Sequence, residues 1–321
     1  PVAARLSQLL GAEVRYQATD GPAGAQQQRF VAAAPAGSVT LLENSRFDSR
    51  ETKNDPAMAR VLASYADYYV NDAFGAAHRA HATTEAVARL LPSAAGQLMT
   101  AELQALKRLT DQPDRPFVVV LGGAKVSDKL GVIESLLEQA DAIIIGGAMA
   151  YTFELAKGGS VGGSLVEPDL ADTAERILAS AEERGVKLLL PPDSVCAQSI
   201  AAGVETRVFP SGAIPDGWLG LDVGPQAIEA FSRELAGART VFWNGPLGVF
   251  ETAPFDTGTT AIAKVVAGLD AYTVVGGGDS IAALSATGLQ EQIDHVSTGG
   301  GASLEFVEGV ALPGVTALEA N

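Results

Sequence analysis

Short apolar runs alternate with helix-length amphipathic segments along most of this 321-residue chain. Runs such as "FVVVL" from residue 117 and "AIII" from residue 142 contain no polar residue. Strands without polar alternation are typical of a parallel sheet whose two faces are covered by helices, so the fold class is predicted to be α/β. Strands are predicted at 39–43, 68–72, 117–122, 142–147, 187–191, 240–245 and 272–278, and helices at 127–140 and 169–185.

The alternation of short apolar runs and helical segments is interrupted at 92–116. We interpret this segment as one amphipathic helix, closed by a polar, proline-containing turn, and place a domain boundary there. The first domain is then 1–93 and the second 94–307. Residues 1–100 hold nine Lys/Arg and nine Asp/Glu, so the net charge of −16 falls on the remainder. This asymmetry favours two units with different surfaces, although drift in composition on solvated faces would produce it as well.

Charge and cysteine content exclude several classes of protein. A net charge of −16 argues against general nucleic-acid binding, which needs a basic surface. No apolar run approaches the roughly 18 residues of a membrane helix, and the first residues do not resemble a signal peptide. The single cysteine, Cys196, fits a reducing cytosol and is interpreted as a small packed side chain. We expect a cytoplasmic protein without nucleic-acid or membrane partners.

Five glycine turns occur in the second predicted domain, four of them at the ends of strands predicted above. After the first, Gly122-Gly123, a helix is expected to begin near Ser127, with Lys125 in the loop and Lys129 one turn into the helix. Taken alone, this segment could equally be a phosphate-binding loop or a glycine-rich turn with two solvated lysines, and it does not fit the Walker pattern. The other four turns contain Gly146-Gly147, Asn244-Gly245, Gly276–Gly278 before Asp279 and Ser280, and Gly299–Gly301. Together they predict a sheet edge where main-chain amides, lysines and a Mg²⁺-binding aspartate serve phosphoryl transfer.

Eight motifs occur in order from about residue 39 to the end: "LLENSRF", "NDAFGAAHRAH", "GGAKVSDKLGVIESL", "IIGGAMAYTF", "GLDVGP", "FWNGPLGVFE", "VVGGGDS" and "STGGGASLE". Together they resemble the phosphoglycerate kinase family. The resemblance implies two doubly wound, Rossmann-like parallel-sheet domains facing across a cleft, with domain closure and with 308–321 returning to the first domain. It implies a monomer that reversibly transfers phosphoryl between 1,3-bisphosphoglycerate and MgADP, giving 3-phosphoglycerate and MgATP.

The resemblance also assigns residues to roles. Lys125 would steady the transferring phosphoryl group, and Gly299, Gly300 and Gly301 would offer amides to it. Asp279 would bind Mg²⁺, and Glu251 would accept hydrogen bonds from the ribose. Further nucleotide-binding residues would be Lys129, Gly220, Asn244, Gly277, Gly278 and Ser280. Arg46 and Arg79 would bind phosphoglycerate through bidentate contacts, with Arg46 also acting in catalysis.

This chemistry needs no general base, because ADP presents a charged oxygen and the reverse nucleophile is a carboxylate ionised at neutral pH. His78 and His81 are therefore interpreted as supports for Arg79 or as hydrogen-bonding groups at the domain surface. His295 is interpreted as structural and Trp243 as a core residue. Three residues would either order the arginines or cap strand ends: Glu43, Asn44 and Asp72.

The sequence departs from the family at its start. A complete phosphoglycerate kinase resembles this chain only after an N-terminal stretch with R-x-D-x-N-x-P and H-x-G-R-P motifs, and neither motif occurs here. We expect an incomplete first domain and weak or absent turnover. The alternative to an enzyme is then a module that binds MgADP or MgATP without turnover. A Rossmann dehydrogenase is disfavoured, because no G-x-G-x-x-G motif opens a βαβ unit.

Overall fold

The structure, a computed structural model, describes residues 1–319. The chain forms two compact units, which are described separately. The first comprises Pro1–Ala101 and the chain from Ala311 onward, and the second comprises Glu102–Val310. Within the described residues, none of the helices is both long and apolar enough to cross a membrane.

The first unit contains short parallel strand pairs and helices. Its elements are α1 (Val2–Leu10), β1 (Val14–Arg15), α2 (Ala25–Ala32), β2 (Val39–Thr40), α3 (Pro56–Ala63), β3 (Tyr69–Asn71), β4 (Ser93–Ala95) and the beginning of α4 (Gln97–Thr110). Strand β1 pairs with β2, and β3 pairs with β4, both in parallel. Met58 and Leu62 of α3 pack with Ala82 and Val87 in a small apolar cluster. Asp55 caps α3 by accepting hydrogen bonds from the amides at its first turn.

The second unit is built on a larger sheet. Its elements are β5 (Phe117–Leu121), α5 (Leu130–Leu136), β6 (Ala142–Ile145), α6 (Met149–Ala156), β7 (Ser160–Val161), α7 (Ala171–Arg184), β8 (Lys187–Leu189), β9 (Asp193–Ala197), β10 (Arg207–Pro210), β11 (Ala213–Ile214), β12 (Leu219–Val223), α8 (Pro225–Leu235), β13 (Thr240–Asn244), α9 (Thr257–Ala267), β14 (Tyr272–Gly276), α10 (Gly278–Thr287), β15 (His295–Ser297) and α11 (Gly301–Val307). The helix that follows, α12 (Pro313–Glu319), belongs to the first unit, where the Gly314 amide donates to the Ala77 carbonyl at 2.8 Å.

Six strands form one parallel sheet in the order β15-β14-β13-β5-β6-β8. Every residue of β5, β6 and β13 is buried, which confirms the prediction of a parallel sheet covered on both faces. The chain runs outward from β5 through β6 and β8, then returns to the other side of β5 with β13. The strand order therefore reverses between β5 and β13, the position where doubly wound sheets bind ligands.

Helix α8 shows how the sequence directs the packing of these helices. Pro225 at its first position has the fixed φ that suits a helix start. Ala227, Phe231 and Leu235 recur every four residues, lie on one face and are fully buried in the main core of the second unit. Burial of side chains the size of Phe231 and Leu235 contributes about 1.5–3 kcal/mol each.

Two predicted helices begin later than expected. Helix α5 begins at Leu130 rather than near Ser127, so Lys129 occupies the N-cap position instead of lying one turn inside. The reason is that Glu167 accepts hydrogen bonds from Ser127 N (3.1 Å) and Oγ (2.6 Å), which holds the preceding residues in a turn. The single helix expected in 92–116 is wrong at its start, because 93–95 forms β4 beside β3 and α4 begins at Gln97.

Two smaller groups of strands in the second unit were not predicted. Strands β9, β10 and β12 form an antiparallel sheet, and β7 pairs in parallel with β11. The motif "GLDV" lies on β12, so Gly220 is a strand residue. The buried thiol of Cys196 lies on β9 and packs against Tyr151, Val161 and Ile214, which agrees with its interpretation as a packed side chain.

Candidate active site

The five glycine turns follow β5, β6, β13, β14 and β15, which are neighbours in the sheet, so all five lie along one edge. At the point of strand reversal two turns touch directly. The Gly122 amide donates to the Asn244 carbonyl at 2.9 Å, and the Gly123 amide donates to the Pro246 carbonyl at 3.0 Å. A Cβ on Gly122 would lie 2.1 Å from the Pro246 oxygen, so no larger residue fits there.

A cavity of about 410 Å³ opens beside these turns, within the second unit. Most of its wall is apolar, with side chains that include Leu165, Ile200, Leu219, Leu221, Val249 and Phe250. The carboxylates of Glu251 and Asp279 also line it. An apolar slot with a few polar groups at its rim suits a flat aromatic ligand that carries a polar tail.

Gly220 shapes the floor of this cavity. A Cβ at this position would lie 2.0 Å from the Tyr151 hydroxyl, so the glycine leaves room for the aromatic ring beneath it. Tyr151 is buried and donates to Ser194 Oγ at 3.0 Å, and burial raises the pKa of this phenol. Tyr151 lies in the motif "IIGGAMAYTF", but the sequence assigned it no role, because its contact with Gly220 joins distant segments.

Lys129 and Asn244 form the polar centre of the edge. The half-buried Lys129 ammonium donates to Asn244 Oδ1. Burial lowers the pKa of Lys129, and the nearby carboxylates Asp128, Asp279 and Glu308 oppose that shift. The buried Asn244 Nδ2 finds no acceptor within residues 1–319. The pair therefore presents a cation beside an unused hydrogen-bond donor, which suits an anionic ligand.

The turn after β14 supplies the third polar element. Gly277 has a φ of 93°, and a Cβ there would lie 2.8 Å from Asn244 Nδ2. Asp279 follows in the first turn of α10 and is exposed, whereas the buried Ser280 Oγ accepts from the Gly245 amide at 2.6 Å. Ser280 is thus occupied in joining two turns, and Asp279 remains open to the cavity.

Asp279 fits a Mg²⁺ ion that enters with a nucleotide. No group of three or more His, Cys, Asp or Glu side chains in the described chain is placed to hold a metal ion. Mg²⁺ commonly binds through one or two carboxylates while substrate phosphates and water complete its coordination. A single exposed aspartate at the cavity has the chemistry of that arrangement.

The loop between β5 and α5 carries the exposed Lys125. Glu167 fixes this loop through Ser127, and the Glu167 amide in turn donates to Thr152 Oγ1 at 3.1 Å. Burial would raise the pKa of Glu167, but the hydrogen bonds from Ser127 and Val126 and the charge of Lys125 hold it below its ordinary value. The loop is therefore anchored at Ser127, while the Lys125 side chain stays in solvent.

The turn after β15 is organised by a buried carboxylate that the sequence analysis missed. Glu102 accepts from His295 Nε2 (2.8 Å), Ser297 Oγ (2.8 Å) and the Thr298 amide (2.7 Å). Burial would raise the pKa of Glu102, but these hydrogen bonds, with that from His295 the largest, lower it. The Gly299 amide donates to Ser297 Oγ at 3.3 Å, so the glycine turn follows directly from this network. The structural interpretation of His295 agrees with this contact.

Arg46 and Arg79 belong to the first unit, and both are exposed. Their charges act on His81: burial lowers the pKa of His81, Arg46, Arg79 and His78 lower it further, and Glu51 opposes them. The positive charges of both arginines therefore lie near enough to act on this histidine. His81 is 7% exposed, so of its two interpretations the one at the domain surface is wrong, whereas a role in supporting Arg79 stays a prediction.

The three polar residues near these arginines serve the backbone. Asn44 Oδ1 accepts from the Arg46 amide at 2.9 Å, and Glu43 accepts from its neighbour's amide at 2.8 Å and from Tyr16 at 3.0 Å. Asp72 accepts from the Met99 amide at 3.0 Å, at the start of α4. These contacts favour the interpretation of the three residues as caps. Trp243 is fully buried and donates to the Gly245 carbonyl at 2.8 Å, as expected of a core residue.

Comparison with known proteins identifies this arrangement. A model of the family described as phosphoglycerate kinase matches residues 1–310. The chain belongs to the phosphoglycerate kinase family. It is 55% identical to the phosphoglycerate kinase of Roseiflexus castenholzii, over 99% of this chain and 80% of that protein. It is 58% identical to one from Thermus thermophilus, over 93% of this chain and 77% of that protein.

Solved structures agree with the family assignment. The phosphoglycerate kinase of Coxiella burnetii matches with a TM-score of 0.90 and 38% identity, over all of this chain and 80% of that one. The phosphoglycerate kinase of Pyrococcus horikoshii matches with a TM-score of 0.85 and 34% identity, over 99% and 81% of the two chains. The predicted α/β fold and glycolytic phosphotransferase function are confirmed. The alternative, a nucleotide-binding module without turnover, is not favoured.

Proposed function

We propose that the cavity at the carboxyl edge of the six-stranded sheet is the site where this kinase binds MgADP and MgATP. The base would occupy the apolar slot above Gly220, and Glu251 would accept hydrogen bonds from the ribose. The phosphates would lie against Lys129 and Asn244. The single observation that carries this proposal lies at the point of strand reversal: the buried Asn244 Nδ2 has no acceptor within residues 1–319, and Asn244 accepts from the Lys129 ammonium.

The Mg²⁺ ion of the nucleotide would be held by Asp279, with the amides of Gly277 and Gly278 and the side chain of Ser280 beside it. Mg²⁺ neutralises phosphate charge during transfer, and the protein residues position the groups around it. The exposed position of Asp279 at the cavity supports this role.

Lys125 would stabilise the phosphoryl group during transfer, together with the amides of Gly299, Gly300 and Gly301. An exposed ammonium on an anchored loop is suited to a charge that develops only in the transition state. Gly300 has a φ of 55°, a conformation that turns the chain there and favours glycine.

The first unit would bind 3-phosphoglycerate and 1,3-bisphosphoglycerate through Arg46 and Arg79. Both arginines are exposed, and a free guanidinium group can bind phosphate or carboxylate through bidentate hydrogen bonds. We further propose that the first domain comprises 1–93 with 308–321 and the second 94–307, and that the protein acts as a cytoplasmic monomer without nucleic-acid or membrane partners.

A coupled assay in the ATP-forming direction tests the role of Lys125. Lys125→Ala is expected to lower kcat about 10²–10³-fold, the usual effect of removing one transition-state contact, while the Kd of MgADP changes little. Lys107→Ala, which removes an exposed lysine of α4, is the matched control and should match the wild type. A collapse of MgADP affinity with unchanged kcat would show that Lys125 has a different role.

A further inference from the structure

A buried acidic residue that has no assigned role, Asp222, is one of the residues that line the cavity. Asp222, on β12 two residues after Gly220, is 2% exposed. Its Oδ1 accepts from the Val223 amide at 2.9 Å, and its Oδ2 accepts from the Gly258 amide at 2.7 Å. Both oxygens of this carboxylate are therefore held by main-chain donors.

The second of these donors belongs to the start of a helix. Gly258 is the second residue of α9, where backbone amides have no intrahelical acceptor. Asp256, at the N-cap position, makes no side-chain cap hydrogen bond within residues 1–319. Asp222 thus supplies, from β12, the side-chain oxygen that caps the beginning of α9.

The segment 246–251 connects β13 toward α9 and forms one wall of the cavity. A Cβ on Gly248 would lie 2.3 Å from Asp222 Oδ1, so the segment packs directly on the carboxylate. The Val249 amide donates to the Leu221 carbonyl at 2.8 Å, and the Leu247 amide donates to Thr259 Oγ1 at 3.0 Å. The wall is therefore fastened to β12 and to α9, the two elements that Asp222 joins.

We propose that Asp222 is a positioning residue for the nucleotide: by joining β12 to α9, it fixes the wall segment that ends at Glu251 and thereby sets nucleotide affinity. This inference rests on the proposed nucleotide cavity. Without the Gly258 contact, the start of α9 and the wall attached to it through Thr259 would shift relative to the apolar slot. The first unit's arginines have no part in this contact, so phosphoglycerate binding should be independent of it.

Asp222→Asn in the full chain is the test. Asparagine keeps the shape of the side chain but has only one acceptor oxygen, so its NH₂ group must face one of the two donors that Asp222 binds, the Val223 amide or the Gly258 amide. We expect the Kd and KM of MgADP to rise about tenfold or more. The Kd of 3-phosphoglycerate and kcat at saturating MgADP should stay within about twofold of the wild type. Asp256→Asn, which removes a charge at the same helix end but no cap contact, is the control and should bind MgADP normally.

Gly248→Ala provides a second test that leaves the carboxylate in place, and it serves if Asp222→Asn fails to fold. Its Cβ would push the wall away from Asp222, so the same nucleotide-specific loss is expected. Unchanged MgADP affinity in both variants, or equal losses for MgADP and 3-phosphoglycerate, would overturn the inference. If Glu251→Ala and Lys129→Ala also bind MgADP normally, the nucleotide cavity itself is misassigned.

Discussion

Glu102 accepts a hydrogen bond from His295 Nε2 at 2.8 Å, and their side chains are 3% and 19% exposed. Glu102 lies on α4 and is the first residue of the second unit, whereas His295 opens the last strand of the six-stranded sheet. The same carboxylate holds Ser297 and Thr298, which precede the glycine turn proposed to contact the phosphoryl group. One acidic side chain thus fixes that turn to a helix almost 200 positions earlier in the chain.

Glu102→Ala is therefore expected to be strongly destabilising, because several buried donors would lose their acceptor at once. Each unsatisfied buried group costs about 1–3 kcal/mol, so the free energy of unfolding should fall by at least that amount. Urea denaturation measures the change. Glu134→Ala, an exposed glutamate on α5, should stay within about 0.5 kcal/mol of the wild type. Equal stability of the two variants would show that the network contributes little.

Gly220→Ala should disturb the floor of the cavity. The new methyl group would meet the buried Tyr151 side chain at 2.0 Å, and overpacking of this kind costs about 1–3 kcal/mol. The melting temperature should fall and MgADP should bind more weakly. Gly237→Ala is the control, because a Cβ there has no heavy atom within 4 Å among its non-neighbouring residues. Normal MgADP binding by Gly220→Ala would contradict the assignment of Gly220.

Asp222 should make the folded state sensitive to pH. Burial raises the pKa of Asp222 from 3.8 to about 7, so between these values the folded state holds a proton that the unfolded state has lost. The stability from this group is complete below pH 3.8 and is lost as the pH rises through about 7. The slope approaches about 1.4 kcal/mol per pH unit.

Denaturation at pH 5, 6 and 7 measures this slope in the wild type and in Asp222→Asn. The difference in unfolding free energy between the two proteins should shrink or change sign as the pH rises, since the variant lacks the titrating group. A difference that stays constant over this range would show that the carboxylate does not titrate there.

Cys196 should be inert in the native protein. Its side chain is fully buried, and burial raises the pKa of the thiol to about 12. Because the thiolate is the reactive form, iodoacetamide at pH 8 should leave the folded protein unmodified and label it fully in denaturing urea. Mass spectrometry distinguishes the two states. Stoichiometric labelling of the folded protein would contradict the burial of this residue.

The elements that sequence patterns predicted well are those whose local signal agrees with their environment. Strands β5 and β6 are continuous apolar runs, β13 and β14 are mostly apolar, and the structure places all four in one buried parallel sheet. The glycine turns that follow them identify the edge where a cavity lies. The start of α5 was misplaced because Glu167, forty residues away, binds Ser127, a contact that no local pattern contains.

The residues that sequence analysis missed act through contacts between distant segments. Glu102 meets residues 193–196 positions later in the chain, and Asp222 joins a strand to a helix 36 residues away. Neither residue belongs to a glycine turn: Glu102 lies in an amphipathic helix, and Asp222 lies in the motif "GLDVGP" without a role assigned to it. Their importance follows from burial, which only the three-dimensional structure supplies.

The most direct test of the nucleotide cavity is the Kd of MgADP, measured by calorimetry for the wild type, Lys129→Ala and Lys107→Ala. The wild type and Lys107→Ala should bind one equivalent with the same affinity. Lys129→Ala should bind MgADP at least about tenfold more weakly, because the phosphates would lose the ammonium group that neutralises part of their charge. Asn244 would also lose its hydrogen-bond partner. Equal affinities for all three proteins would contradict the placement of the nucleotide at this edge of the sheet.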